Sequence, residues 1–274
     1  MRTPATGRRK HAVLVPLLVL LALGVVGFAT GAGADQVRGR ASAGALFTGV
    51  RIGDFAGEYS APGGISEVPN PTGGGEEVLR FDVSNRDVYP ITPTENPRAE
   101  LVSPNIVRPG MEVWLSTRFL VPTNYPTISS GGWVSLVSFY GPPYDSSSPW
   151  QLELAGNGLQ WQRNATYGFD IPFKGPLVKG RWTTLLVHER FARRGFVEMW
   201  INGRPIEFFG GGGGYNPRRY APTRRLRVAT RDRSNDGGRN SARLMQYRKA
   251  GMFSEGTIYF GALAVGRTRA SVEP

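Results

Sequence analysis

Residues 244–266, LMQYRKAGMFSEGTIYFGALAVG, decide the fold of this chain. On both sides of Ser254-Glu255-Gly256 the residues alternate with period two, as in strands whose successive side chains point to opposite faces. The segment is therefore expected to be a hairpin with its turn at those three residues. In its first arm Tyr247, Lys249 and Gly251 share one face, and Gln246, Arg248, Ala250 and Met252 share the other. The second arm, Thr257 to Val265, is rich in β-branched and aromatic residues and closes at Gly266. One face thus carries a phenol beside an ammonium, a pair suited to proton transfer because the cation favours the phenolate. A packed Tyr next to a solvated Lys is also what an ordinary strand looks like.

Working outward, the same alternation recurs. Glu76 to Val83 and Met111 to Val121 read as strands, and so does Trp133 to Tyr140, in which Ser138 and Tyr140 share a face. Residues 149–154 (PWQLEL) and 158–163 (GLQWQR) form a second hairpin through Asn157-Gly158. Gln151, Glu153, Gln160 and Gln162 alternate with apolar partners there, so they either line a carbohydrate groove or face water. At 96–101, NPRAEL, Arg98 and Glu100 face one way and Ala99 and Leu101 the other. Between Gly180 and Arg190, His188 and Arg190 share a face with Thr184 and Leu186. No long helical pattern occurs beyond the N-terminus. With 37 Gly, 21 Pro and 30 aromatic residues, the chain is expected to be all-β, a two-sheet sandwich of jelly-roll type.

Three of these segments carry a family resemblance. Tyr247-Arg-Lys249-Ala-Gly251-Met-Phe253-Ser-Glu255 resembles the Y-x-K-A-G-x-Y-x-Q strand of the alginate lyase, glucuronan lyase and heparin lyase I group of polysaccharide lyases, departing at Phe253 and Glu255. Arg98-Ala-Glu100-Leu101 is similar to that group's R-x-E-L strand, with Val102 where a further Arg would stand. Gly180-Arg-Trp182 through His188, then Gly195 through Trp200-Ile-Asn202-Gly203, resembles its G-x-W-x-x-x-x-x-H and G-x-x-x-x-W-x-N-G pattern, in which two long strands meet at the Asn-Gly turn. Where the group has Q-[IV]-H, this chain has Ser138-Phe139-Tyr140.

The resemblance implies a concanavalin A-like jelly roll over residues 46–274, with a binding groove on one sheet. It implies a lyase that cleaves a uronic-acid-containing polysaccharide by β-elimination. Such a reaction needs the C5 carboxylate neutralised, the C5 proton removed and the leaving oxygen protonated. On that basis Tyr247 is the acid and also a candidate base, Tyr140 or His188 is an alternative base, and Arg98 with Ser138 or a neighbouring amide neutralises the carboxylate. Lys249, Glu100, Gln151 and Arg190 are expected to bind substrate. The rival expectation is a lectin-like sandwich that keeps the scaffold and binds carbohydrate without cleaving it. The E-x-D-x-x-E strand of sandwich glucanases does not occur, which argues against glycosidase chemistry.

Composition narrows the partners. The chain has 274 residues, no Cys and two His, so disulfides and thiolate or His-based metal sites are not expected. A structural calcium is conceivable at Asp232, Asn235 and Asp236, whose spacing is not that of an EF-hand. Residues 1–34 pair Arg8, Arg9 and Lys10 with an apolar run and a small-residue end, the pattern of a signal peptide or an uncleaved anchor; residues 35–45 read as a linker. The net charge is +12, and removing residues 1–34 leaves +8. Only four of the 33 basic residues are Lys, and guanidinium forks match carboxylates. No nucleic-acid motif accompanies the charge, so the expected partner is an anionic polysaccharide met by a monomer outside the cytoplasm.

Overall fold

The computed structural model describes residues 44–88, 96–140, 148–165, 168–210, 221–231 and 240–273. The N-terminal segment 1–34, most of the 35–45 linker and the candidate calcium loop at 232–239 lie outside the described residues, as does the side chain of Tyr140. Among the described residues no helix is long and apolar enough to cross a membrane.

Alternation along the chain produces strands β1 (Ala45–Gly49), β2 (Gly57–Tyr59), β3 (Ile65–Pro69), β4 (Glu77–Ser84), β5 (Arg98–Val102), β6 (Glu112–Leu120), β7 (Val134–Tyr140) and β8 (Trp150–Ala155). They are followed by β9 (Gly158–Ala165), β10 (Gly168–Pro176), β11 (Trp182–Arg190), β12 (Phe196–Ile201), β13 (Arg204–Pro205), β14 (Ser241–Arg248), β15 (Glu255–Phe260) and β16 (Leu263–Gly266). All pair antiparallel, in two sheets. The first runs β13-β12-β11-β6-β15-β4-β3, with β16 joining β6 and β1 joining β16; the second runs β10-β9-β8-β7-β14-β5-β2. The result is the expected all-β jelly-roll sandwich.

One core lies between the sheets. Leu79, Phe81, Leu115, Phe119, Val187 and Phe260 enter it from the first sheet, and Leu101, Val137, Phe139, Leu152, Trp161 and Leu244 from the second. Each comes from the buried half of an alternating strand, so burial of that face is what holds the layers together.

The segment 244–266 is not a hairpin. Its first arm, β14, sits in the second sheet between β5 and β7, whereas β15 and β16 belong to the first sheet. Lys249 to Ser254 form a corner that carries the chain across the sandwich, with Gly251 at φ 74°. Leu244, Gln246 and Arg248, on the core side of β14, are fully buried, and Gln246 Nε2 donates to the Gly256 carbonyl at 3.0 Å on the far side of the corner. Arg248 braces the corner. Its Nη1 donates to the Phe253 carbonyl at 2.7 Å, its Nη2 reaches the Ser254 and Val83 carbonyls at 3.3 and 3.4 Å, and its guanidinium lies 4.3 Å from the Phe253 ring centre. The strand also ends at Arg248, so Lys249 falls in an exposed turn rather than beside Tyr247. A second correction concerns the Asn202-Gly203 turn. Asn202 at φ 52° and Gly203 at φ 74° lead from β12 into β13, while β11 and β12 are joined by residues 191–195.

Within the core, Trp150 Nε1 on β8 donates to Glu189 Oε2 on β11 at 2.7 Å, tying the sheets together. Burial pushes the Glu189 carboxyl up to about 8, against the opposing pull of the Trp150 bond. A carboxyl whose folded-state value is raised binds its proton more tightly when folded, so stability present at low pH is lost as pH rises through the window from 4.5 to about 8. Urea unfolding at pH 5 and pH 9 should therefore show a drop that is smaller in Glu189→Gln by an amount on the order of a few kcal/mol. An equal drop in the variant would place the titration elsewhere.

Candidate functional site

Sheet register gathers polar side chains on the outer face of the second sheet. Tyr247 on β14 stands opposite Arg98 on β5 and Ser135 on β7; Ser135 stands opposite Glu153 on β8, Glu153 opposite Gln160 on β9, and Gln160 opposite Lys174 on β10. A second row runs from Arg243 on β14 through Ser138 and Gln151 to Gln162. Register shifts at residues 244–247 of β14 and 135–137 of β7 keep both rows on one face, as bulges do when they re-aim side chains. The intervening Ala99, Leu101, Leu152 and Trp161 point into the core.

At the centre of the first row the Arg98 guanidinium lies over the Tyr247 ring, 4.3 Å from its centre. Asn96 Nδ2 donates to the Tyr247 hydroxyl at 3.1 Å, and Asn96 itself is fixed by the Ala250 amide donating to its Oδ1 at 3.1 Å. Trp133 meets the ring edge-on at 5.0 Å. Glu100, almost wholly buried, accepts from Arg243 Nη1 at 2.8 Å and contacts Arg98 Nη1 at 3.5 Å. One carboxylate thus holds two guanidinium groups in place beside the phenol. These contacts put a cation and a hydrogen-bond donor where charge on a phenolic oxygen is stabilised.

Beyond Trp133 the face deepens into a hollow of about 710 Å³ lined by Ser129 to Trp133 on one side and by Gln160, Gln162, Phe169, Ile171 and Lys174 on the other. Two amides, two aromatic rings and a single ammonium suit a polar ligand with ring faces, such as a carbohydrate. Between the hollow and Arg243 lies Ser138, buried, whose Oγ has no hydrogen-bond partner.

Of the residues singled out by sequence, the structure brings together Tyr247, Arg98, Glu100, Ser138 and Gln151. The backbone of Tyr140 pairs with Ser241 at the end of the same sheet, and its side chain lies outside the described residues. Lys249 lies just past the end of β14, its Nζ donating at 3.3 Å to the carbonyl of Gly131 on the wall of the hollow.

His188 and Arg190 are not in this site. Both lie on β11 in the other sheet, and His188 faces away from the core. Its ring stacks on Trp114 at 4.0 Å, and its nitrogens lie 2.7 Å from Glu198 Oε2 and 2.8 Å from Glu112 Oε1. The three groups come from adjacent strands β12, β11 and β6, so His188 serves as a cross-strand clamp. Since packed sheets stand about 10 Å apart, His188→Gln should leave kcat/KM on any substrate within about twofold. A tenfold loss would return His188 to the chemistry.

Arg243, Asn96 and Trp133 were missed. Arg243 could have been found by carrying the Tyr247, Met245 alternation two residues further back; Asn96 and Trp133 sit at strand edges, where periodicity carries no signal.

A family model described as polysaccharide lyase matches residues 41–260. Among solved structures, the endo-beta-1,4-glucuronan lyase of the fungus Trichoderma reesei superposes with a TM-score of 0.60 at 15% identity, covering 83% of this chain and 98% of that one. The alginate lyase of Klebsiella pneumoniae gives 0.50 at 9% identity, covering 74% and 85%. At these identities the likeness is one of fold. No curated protein matches the chain.

Proposed function

Because the chain belongs to the polysaccharide lyase family, we propose that it cleaves a uronic-acid-containing polysaccharide by β-elimination on the outer face of the second sheet. The observation that carries this reading is the cross-strand register of Tyr247 with Arg98, flanked by Arg243 and a floor of amides. The acidic C5 proton of a uronate becomes removable when its carboxylate is neutralised. Guanidinium groups on Arg98 and Arg243, with the Gln151 amide, supply that neutralisation in a partly dehydrated site.

Tyr247 donates the proton that the leaving oxygen takes. As the bond breaks, negative charge passes to the phenolic oxygen, where Asn96 donates and Arg98 lies over the ring. The base is Tyr247 itself in its phenolate form, or Tyr140 two residues beyond Ser138 on β7. Ser138, in place of a longer amide side chain, leaves the floor open between Arg243 and Gln151, which is why neutralisation is assigned to those neighbours. All three requirements are met by side chains, so no cofactor enters this reading.

The polymer is met outside the cytoplasm, because residues 8–34 have the pattern of an export segment and the remaining chain keeps a net positive charge. The test is the ~235 nm absorbance of unsaturated uronate released from glucuronan, alginate, heparin or hyaluronan by residues 35–274, run beside Tyr247→Phe. A rise that the variant lacks supports elimination and names the polymer; binding without a rise supports the lectin-like alternative.

A further inference from the structure

One carboxyl on this face acts on the elimination only through its neighbours. Glu153, in the middle of β8, is fully buried. Its Oε1 accepts from Gln151 Nε2 at 2.6 Å and from Ser135 Oγ at 3.4 Å, and its Oε2 accepts from Gln160 Nε2 at 2.7 Å. The donors come from β7, β8 and β9, and Gln160 also lines the hollow. Each glutamine therefore turns one N–H toward Glu153 and keeps its carbonyl and second N–H for another partner.

We propose that Glu153 is the positioning residue of an amide floor, locking Gln151 and Gln160 so that they receive the carboxylate of one uronate ring, and that it does so only while it is uncharged. The role rests on the lyase reading above. An uncharged Glu153, its proton turned to the Ser135 hydroxyl, accepts from both amides without opposing an anion; an ionised one places a negative charge beside the carboxylate that the amides are meant to hold.

The surroundings support an uncharged group. Burial pushes the Glu153 carboxyl up to about 7, against hydrogen bonds from Gln160, Ser135 and Gln151 that pull the other way. The side chains opposite it are Ser135 on β7 and Gln160 on β9, both neutral. The titratable and charged groups that share its row are Tyr247 on β14 and Arg98 on β5 to one side and Lys174 on β10 to the other; Arg243 on β14 lies in the next row. The cations are two or three strands away, about 10 to 14 Å at the ordinary strand spacing. On the core side its neighbours along β8 are Leu152 and Leu154. Burial and those opposing hydrogen bonds, with no described charged neighbour, account for the upward shift.

The test measures Kd and initial elimination rate for glucuronan and alginate with residues 35–274, as the unaltered sequence and as Glu153→Gln and Glu153→Ala, at pH 6 and pH 8.5. Expected for the unaltered sequence is a Kd about tenfold weaker at pH 8.5, the effect of one like charge at close range. Glu153→Gln should bind as tightly at pH 8.5 as at pH 6. Glu153→Ala, which frees both amides, should bind weakly at both. Circular dichroism and a urea midpoint establish that each variant is folded. Coinciding pH profiles for Glu153→Gln and the unaltered sequence would overturn the proposal while leaving the lyase reading intact. A pH-dependent Kd that Glu153→Gln abolishes, with no elimination on either polymer, would keep the floor and remove the lyase reading. A folded chain that neither binds nor cleaves them overturns both.

Discussion

Tyr247→Phe is expected to lower kcat for elimination about 10³-fold while changing the polymer Kd by less than about threefold. The two effects separate because the ring and the hydroxyl do different work. Phe keeps the edge contact with Trp133 and the face beneath Arg98, so the surface that binds sugar is preserved. What is lost is the only proton the ring can give, together with the bond from Asn96. Loss of that single hydrogen bond costs stability of about 1 kcal/mol, too little to unfold the chain. Stopped assays at ~235 nm with matched binding isotherms check the prediction. If the variant retains more than about a tenth of the rate, proton donation lies elsewhere on this face, with Tyr140 the first candidate.

Arg248→Met should be strongly destabilising, by about 3–5 kcal/mol, read as a fall of roughly 1–2 M in the urea midpoint. Arg248 is fully buried, and burial pulls its guanidinium below the usual range. It is retained inside the sandwich because three backbone carbonyls, of Phe253, Ser254 and Val83, converge on it. Met fills much of the volume but donates nothing, so the Phe253 carbonyl loses its 2.7 Å partner away from water and the Ser254 carbonyl keeps only the Asn85 amide. Where an apolar side chain can replace a buried ion pair without loss, the partners are replaced as well; backbone carbonyls cannot be. A midpoint unchanged within error would mean that water reaches the corner and takes over these bonds.

These two neighbours also show how much of the molecule was legible. Alternation in Glu77–Ser84, Glu112–Leu120 and Trp150–Ala155 reports which side chains face a core, and the strands formed where it was read. It does not report which strand lies alongside. Residues 244–266 bury the same faces whether the second arm folds back beside the first or crosses to the opposite sheet, so the pattern was compatible with a hairpin that does not exist. The distinguishing signal was Arg248, a charge on the face that had to be buried, which needs a corner of carbonyls rather than a flat partner. His188 was misassigned for the same reason, since spacing along β11 is silent about the sheet to which β11 belongs. Arg98, Glu100 and Tyr247 came together because each lay on the outer side of its own strand, and sheet register supplied the proximity that sequence distance hid.

Strand order carries a further meaning for how the protein is made. Asn96 and Tyr247, in contact in the finished molecule, are 151 positions apart, and β14 inserts between β5 and β7. As the chain emerges from the ribosome, both flanking strands exist long before the one that joins them. Until β14 arrives, each presents an unpaired backbone edge, the kind of surface that recruits other chains. Contacts of such long range also close slowly. A chain stopped short of Ser241 would therefore lose more than its proton donor: the sheet that forms the groove would remain in two halves, and the product would be expected to aggregate rather than persist as an inactive binder.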